Sequence, residues 1–271
     1  MLTEDATCYR HPDIRAAVGC QRCGRPICPA CMRQASIGHH CVSCASTGSQ
    51  QVYNARNLPR DRPPVVVGLI AVNVLAFLVN QGTRGELNIR GLLFGPLVQD
   101  GEWWRIITVG FLHSGLFHLA MNMYGLWILG QALEEGLGRL RFGLMYLAGL
   151  LGGSFAVLAF GFNQPTVGAS GAVLGLAGAL AAVLWARGVS LTQSSLGFIL
   201  ALNLAIPIII PGISFWGHLG GIVAGFGAGW LISWLPIRYR QTQQTALAAT
   251  GALCGLLAVG TVVAALAGGF F

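Results

Sequence analysis

The chain has 271 residues, 54% of them hydrophobic and only 9% charged, against the roughly 25% charged residues of soluble domains, so a soluble globular protein is excluded. Mean hydropathy is +0.66. The net charge of +7 rests on arginine alone, since the sequence contains no lysine; no basic stripe is interleaved with exposed aromatics, which favours membrane-surface charge and argues against a nucleic-acid partner.

In chain order, residues 1–45 come first as a cysteine-rich unit. Residues 1–50 hold seven of the eight cysteines and three of the six histidines. They form four two-ligand clips: Cys8 with His11, Cys20 with Cys23, Cys28 with Cys31, and Cys41 with Cys44. Each clip can aim both side chains at one ion, and eight ligands suffice for two tetrahedral zinc ions. His39 and His40 adjoin the fourth clip and offer an exchange for one of its cysteines. Soft thiolates select zinc over calcium or magnesium. The segment is too short to bury much core, so the metal supplies folding energy. No secretory signal precedes it, which places it in the reducing cytosol and makes a disulfide knot the lesser reading; a single zinc with spare thiols is the other. The spacing resembles a B-box-type zinc finger. That resemblance implies Cys8, His11, Cys28 and Cys31 on one structural zinc, and Cys20, Cys23, Cys41 and Cys44 on the other. The last clip departs from the family, where His is usual. A cytoplasmic protein partner is the expected role for such a unit.

A polar linker, residues 46–64, ends in Pro63–Pro64, which disfavours helix just before the first apolar run. Residues 65–271 then carry seven apolar segments near the ~20 residues a spanning helix needs: Val65–Asn80, Leu116–Leu133, Phe142–Phe160, Ser170–Ala186, Leu196–Ile210, Phe215–Leu235 and Ala246–Phe271. Arg56, Arg60 and Arg62, then Arg139 and Arg141, then Arg187, then Arg238 and Arg240 all fall on one side of such a bundle. The N-terminus is therefore expected in the cytoplasm and the C-terminus outside, in a multi-pass cell-membrane protein. The segment Gly82–Gly115 is the exception, with Arg84, Arg90 and Arg105 on the outer side; with Trp103–Trp104 it reads as short amphipathic pieces in the outer interface. The all-Arg, Ala/Gly-rich usage points to a GC-rich bacterial genome.

Polar residues within spans are costly and need a reason. His118 and Asn122 lie on the second span, Ser170 on the fourth and His218 on the sixth. His118, Ser170 and His218 sit near the outer start of their spans and so share one shallow depth, with Asn122 a turn deeper. Serine is a weak nucleophile until a base takes its proton, and histidine is the usual base. Asn amides, His N–H groups and free backbone N–H groups can hold an oxyanion. Glycines at every fourth residue, Gly217, Gly221, Gly225 and Gly229 on the sixth span and Gly171 and Gly175 on the fourth, let two helices approach closely enough to pair Ser170 with His218. No acidic residue lies on the fourth, fifth or sixth span, so a Ser–His dyad is expected rather than a triad. Cys254 reads as apolar filling, His113 as structural, and Tyr146 and Trp216 as core or interface.

Four motifs occur together: Glu102-Trp103-Trp104-Arg105, His113-x4-His118-x3-Asn122, Gly168-Ala169-Ser170-Gly171, and Gly217-His218-Leu219-Gly220-Gly221. In order and spacing they resemble the rhomboid intramembrane serine proteases from about residue 60 onward. The resemblance implies an all-α polytopic membrane protein with a six-helix core and a seventh C-terminal transmembrane helix. It implies Ser170 and His218 as the catalytic pair, with His118, Asn122 and the Ser170 N–H as the oxyanion site. Single-pass transmembrane proteins are the implied substrates, cut near the outer membrane face. Glu134 or Glu135 would tie the second helix to its neighbours. The rival readings are a catalytically inactive scaffold that binds membrane helices, which usually lacks the Ser or the His, and a transporter, which would carry internal repeats and a charged midplane site.

Overall fold

The computed structural model describes residues 6–16, 18–35, 38–47, 63–191, 195–239 and 242–270. Most of the expected linker, with Arg56, Arg60 and Arg62, and also Arg240, lies outside the described residues. The chain divides into two compact units, Met1–Arg60 and Asp61–Phe271.

The first unit consists of three antiparallel hairpins, β1 (Thr7–Cys8) with β2 (His11–Arg15), β3 (Val18–Gly19) with β4 (Pro26–Ile27), and β5 (Arg33–Gln34) with β6 (His39–His40), followed by α1 (Val42–Thr47). Its buried cluster is Cys8, Cys20, Cys28, Cys31 and Cys41 plus Ala16 and Ile27. A core made mostly of thiols gains little cohesion from apolar burial.

The second unit is helical: α2 (Pro64–Gly82), the short α3 (Glu86–Gly91), α4 (Gly95–Gln99) and α5 (Arg105–Thr108), then α6 (Leu116–Leu137), α7 (Arg139–Phe160), α8 (Ser170–Ala186), α9 (Ser195–Ile209), α10 (Phe215–Tyr239) and α11 (Gln243–Leu266). By length and composition α2, α7, α10 and α11 can each cross a membrane; α6 qualifies only together with the segment Arg105–Phe111, from which it bends by 91°. The apolar runs at α8 and α9 form helices of only 17 and 15 residues. This is a polytopic all-α membrane protein in which seven helices follow the seven apolar runs.

α7, α8 and α10 form the centre. Small residues make this possible. A Cβ built on Gly175 would lie 2.5 Å from the Gly149 Cα, and one on Gly178 would lie 3.1 Å from the Phe226 backbone nitrogen. On α10, Gly221 and Gly225 would place a Cβ against the carbonyls of Gly171 and Gly175. Helices in backbone contact hold α8 in register with α10, and this register positions the site.

Glu134 joins α6 to α2. Its carboxylate is buried and accepts the N–H groups of Val65 at 3.0 Å and Val66 at 2.9 Å. These are orphan donors at a helix start, where negative charge is also favoured by the helix dipole. Glu135, one position on, is exposed. The segment Gly82–Gly115 is ordered by Arg105, whose side chain donates to Glu102 Oε2 at 2.8 and 2.6 Å and to the carbonyls of Ile89 and Leu92 at 2.9 and 2.8 Å. Arg90 pairs with Glu86. Trp104 is exposed and donates to the Arg90 carbonyl at 3.0 Å.

Candidate active site

The site is assembled from the first turns of α6, α8 and α10. Ser170 opens α8, His118 is the third residue of α6, and His218 is the fourth of α10. The loop before Ser170 is held by an antiparallel bridge between Leu93 and Thr166, with both N–H···O bonds at 2.9 Å, and by Gly168 N–H donating to the Val109 carbonyl at 3.0 Å. Gly168 has φ +136°, a conformation open to glycine. A Cβ there would lie 2.8 Å from His118 Nε2 and 3.6 Å from Ser170 Oγ. The imidazole and the hydroxyl thus border one small space that only a glycine leaves open.

His218 approaches from the other side. A Cβ on Gly171 would lie 3.2 Å from the Gly217 carbonyl oxygen, so the turn carrying His218 packs directly beside the start of α8. His218 is buried, and its Nδ1 lies 2.9 Å from the carbonyl oxygen of Asn203 on α9. A carbonyl only accepts, so Nδ1 carries the proton and a neutral ring keeps its lone pair on Nε2. Among the described residues Ser170 Oγ makes no hydrogen bond to His218 or to any other group.

The structure places the remaining expected residues as follows. His118 Nδ1 lies 3.1 Å from Ser114 Oγ. Asn122 is buried, and its amide donates to the His118 carbonyl at 2.9 Å, which uses one of its two N–H groups within α6 itself. His113 is fully buried and meets His118 edge to face at 5.1 Å. Tyr146 belongs to the core, Trp216 meets Phe160 at a tilt with ring centres 4.9 Å apart, and Cys254 is buried against the Leu144 carbonyl. Ser114 and the Asn203 carbonyl did not emerge from sequence reasoning. A main-chain acceptor carries no residue signature, although Pro207, one helical turn beyond Asn203, was visible.

The described residues of the N-terminal unit contain two ligand groups, Cys8, His11, Cys28 and Cys31, and Cys20, Cys23, Cys41 and Cys44, with the ligand atoms of each within 4.8 Å of one another. Alternate clips meet because the Tyr9 N–H donates to the Pro26 carbonyl and the Gln21 N–H to the His39 carbonyl, both at 3.0 Å, which sets the first clip beside the third and the second beside the fourth. The geometry fits a tetrahedral ion: ligands about 2.0–2.3 Å from zinc stand roughly 3.5–3.8 Å apart, and here His11 Nδ1 lies 3.7, 3.3 and 3.4 Å from the thiols of Cys8, Cys28 and Cys31. Cys23 and Cys41 Sγ are 3.7 Å apart. His39 and His40 lie on β6, outside both groups. Burial raises the Cys8 thiol, but backbone N–H groups of Arg10 and Cys28 outweigh it and hold it down at about 5. Burial and the neighbouring Cys8 and Cys28 push Cys31 up to about 11. Thiols this close cannot all ionise without a cation between them, which is the demand a bound dication meets.

Residues 100–235 match the Rhomboid domain. The chain belongs to the rhomboid family. The match takes in half of its length and every helix that contributes to the site. Among its relatives, "RHOMBOID-like protein 6, mitochondrial" of Arabidopsis thaliana is 41% identical over 52% of this chain and 47% of its own. "Rhomboid protease GluP" of Bacillus subtilis is 35% identical over 62% of this chain and 34% of its own. "Inactive RHOMBOID-like protein 8" of Arabidopsis thaliana is 36% identical over 49% of this chain and 39% of its own. This rhomboid chain therefore spans between a third and a half of the length of those relatives, which come from both a plant and a bacterium and include proteins named as protease and as inactive.

Proposed function

We propose that this rhomboid is an intramembrane serine endopeptidase acting on single-pass transmembrane proteins near the outer membrane face. Ser170 attacks the scissile carbonyl, and His218 Nε2 takes its proton. The same proton goes to the leaving amine as the peptide C–N bond breaks, leaving an acyl ester on Ser170. Water, deprotonated by His218, then opens the ester and frees the serine. A Ser114 hydroxyl donating to His118 Nδ1 puts the His118 proton on Nε2, aimed at the space beside Ser170. Together with the second Asn122 N–H and the Ser170 N–H, it would carry the oxyanion charge. The observation that carries this reading is the joint placement of Ser170, His118 and His218 at converging helix starts, with His218 Nδ1 occupied at 2.9 Å by a carbonyl and its other nitrogen left as a base.

Lateral entry of substrate, with local unwinding to expose a scissile carbonyl, fits the two helices that flank the site. Leu116 and Phe117 on α6 and Phe198 and Ile208 on α9 point outward as large exposed apolar side chains. Small residues at the cut site are expected. Zinc is the metal that suits the two N-terminal groups, and with four protein ligands each it would be structural. We assign residues 1–45 to that cytoplasmic unit, 46–64 to a linker and 65–271 to the protease, with the C-terminus outside the cell membrane. The second reading, an inactive helix-binding scaffold, draws on the relative named inactive; this chain retains both Ser170 and His218.

The test is cleavage of a reporter single-pass substrate by purified protein, with labelling of Ser170 by a serine-reactive phosphonate. Ser170→Ala should abolish both. Cleavage that persists in Ser170→Ala overturns the proposal, and an intact protein that neither cleaves nor labels supports the scaffold.

A further inference from the structure

We propose that Pro207 is a positioning residue for the base, a role that rests on the protease reading above. In an α-helix the carbonyl of residue i accepts from the N–H of residue i+4. For Asn203 that position is Pro207, inside α9, which has no N–H. The ring also crowds the carbonyl four residues back and turns it off the helix axis. An unpaired carbonyl in a membrane-embedded helix costs several kcal/mol, so it must find another donor. The donor it finds is His218 Nδ1–H, at 2.9 Å. The Asn203 side chain does not compete, since its amide donates back to the Ile199 carbonyl at 2.9 Å.

The need for such an acceptor follows from the sequence. A catalytic histidine must hold its proton on the nitrogen facing away from the serine, a task usually given to a carboxylate. No acidic residue follows Glu135 in this chain, so α8, α9 and α10 have none to offer. A backbone carbonyl released by a proline does the same work without burying a charge. It also places the control of the base on a separate helix: among the described residues of α9 only Leu196 is fully buried.

The decisive comparison replaces Pro207 in two ways in the full chain. Pro207→Ala restores an N–H that recaptures the Asn203 carbonyl, and removing a helix breaker should not impair folding. Replacement of Pro207 by lactic acid, through an α-hydroxy-acid suppressor system, forms an ester that lacks both the ring and the N–H. The parent should show 15N ring signals of an Nδ1-protonated His218. Pro207→Ala should mix the tautomers and lower kcat at least about tenfold, with KM little changed, whereas the ester should keep the parental spectrum and most of kcat. An Ala variant with parental kcat and spectrum overturns the inference. So does an ester variant as slow as the Ala variant, because the ring rather than the missing N–H would then matter, and so does a parent protonated on Nε2. A parent with the expected spectrum that cleaves nothing refutes the protease reading and leaves the tautomer lock standing.

Discussion

Gly221→Ala is the sharpest test of how closely the helices carrying Ser170 and His218 must approach. A Cβ at this position would overlap the Gly171 carbonyl oxygen and lie 2.8 Å from its carbon and 3.0 Å from its Cα. The obstacle is backbone on the residue next to Ser170, so no side chain can swing aside. Relief requires α10 to withdraw from α8 by about 1 Å, the scale of misplacement that costs ~100-fold in rate. Overpacking of this kind also destabilises by about 1–3 kcal/mol. The control is Gly227→Ala on the same helix, where the new Cβ meets only Leu253 Cδ2 at 3.6 Å, an ordinary contact. The assay is kcat for the reporter substrate alongside denaturant unfolding of both variants in one detergent. Gly221→Ala should lose about two orders of magnitude in kcat while remaining folded, and Gly227→Ala should match the parent. Parental kcat in Gly221→Ala would refute the close-approach argument.

Glu134→Ala leaves the Val65 and Val66 N–H groups unpaired and should cost about 2–4 kcal/mol, read as a lower unfolding midpoint; below that midpoint cleavage should stay near parental, since the carboxylate lies at the far end of α6 from His118. Arg105→Lys cannot reproduce a fork that serves Glu102, Ile89 and Leu92 at once, and leaving Glu102 and two carbonyls short should cost about 3 kcal/mol. Hydrogen exchange should show it as faster exchange across residues 86–111. Elemental analysis should find two zinc ions per chain, with Cys28→Ser losing one and Cys20→Ser the other. Chelation should unfold the N-terminal unit while leaving cleavage in detergent largely intact; loss of all cleavage would refute the independence of the two units.

Much of this was legible because the bilayer penalises polar groups so heavily. His118, Asn122, Ser170 and His218 stand out in apolar runs without any structure, and paired cysteines at fixed spacing mark out in the same way two groups that could hold a metal. What stayed hidden depends on rotation and on main chain. Glu134 and Glu135 are chemically identical neighbours, and only the 100° step around α6 decides which of them meets the free N–H groups of α2. Asn122 is buried, yet half of its donor capacity turns back to the His118 carbonyl, a local competition common for such side chains. The acceptor of His218 is a backbone atom on a helix with no other polar signal toward the site, so only the position of Pro207 could have pointed to it.

α9 extends its 15 residues over about 22 Å, short of the ~30 Å hydrocarbon thickness of a typical bilayer. A short helix meets such a mismatch by local thinning of the lipid or by changing its seat in the bundle. If His218 is the base, as proposed, a shift of this helix also moves the carbonyl at 2.9 Å from its Nδ1, so acyl-chain length should act on the base. Turnover in short-chain and long-chain bilayers should then differ for reasons unrelated to substrate binding.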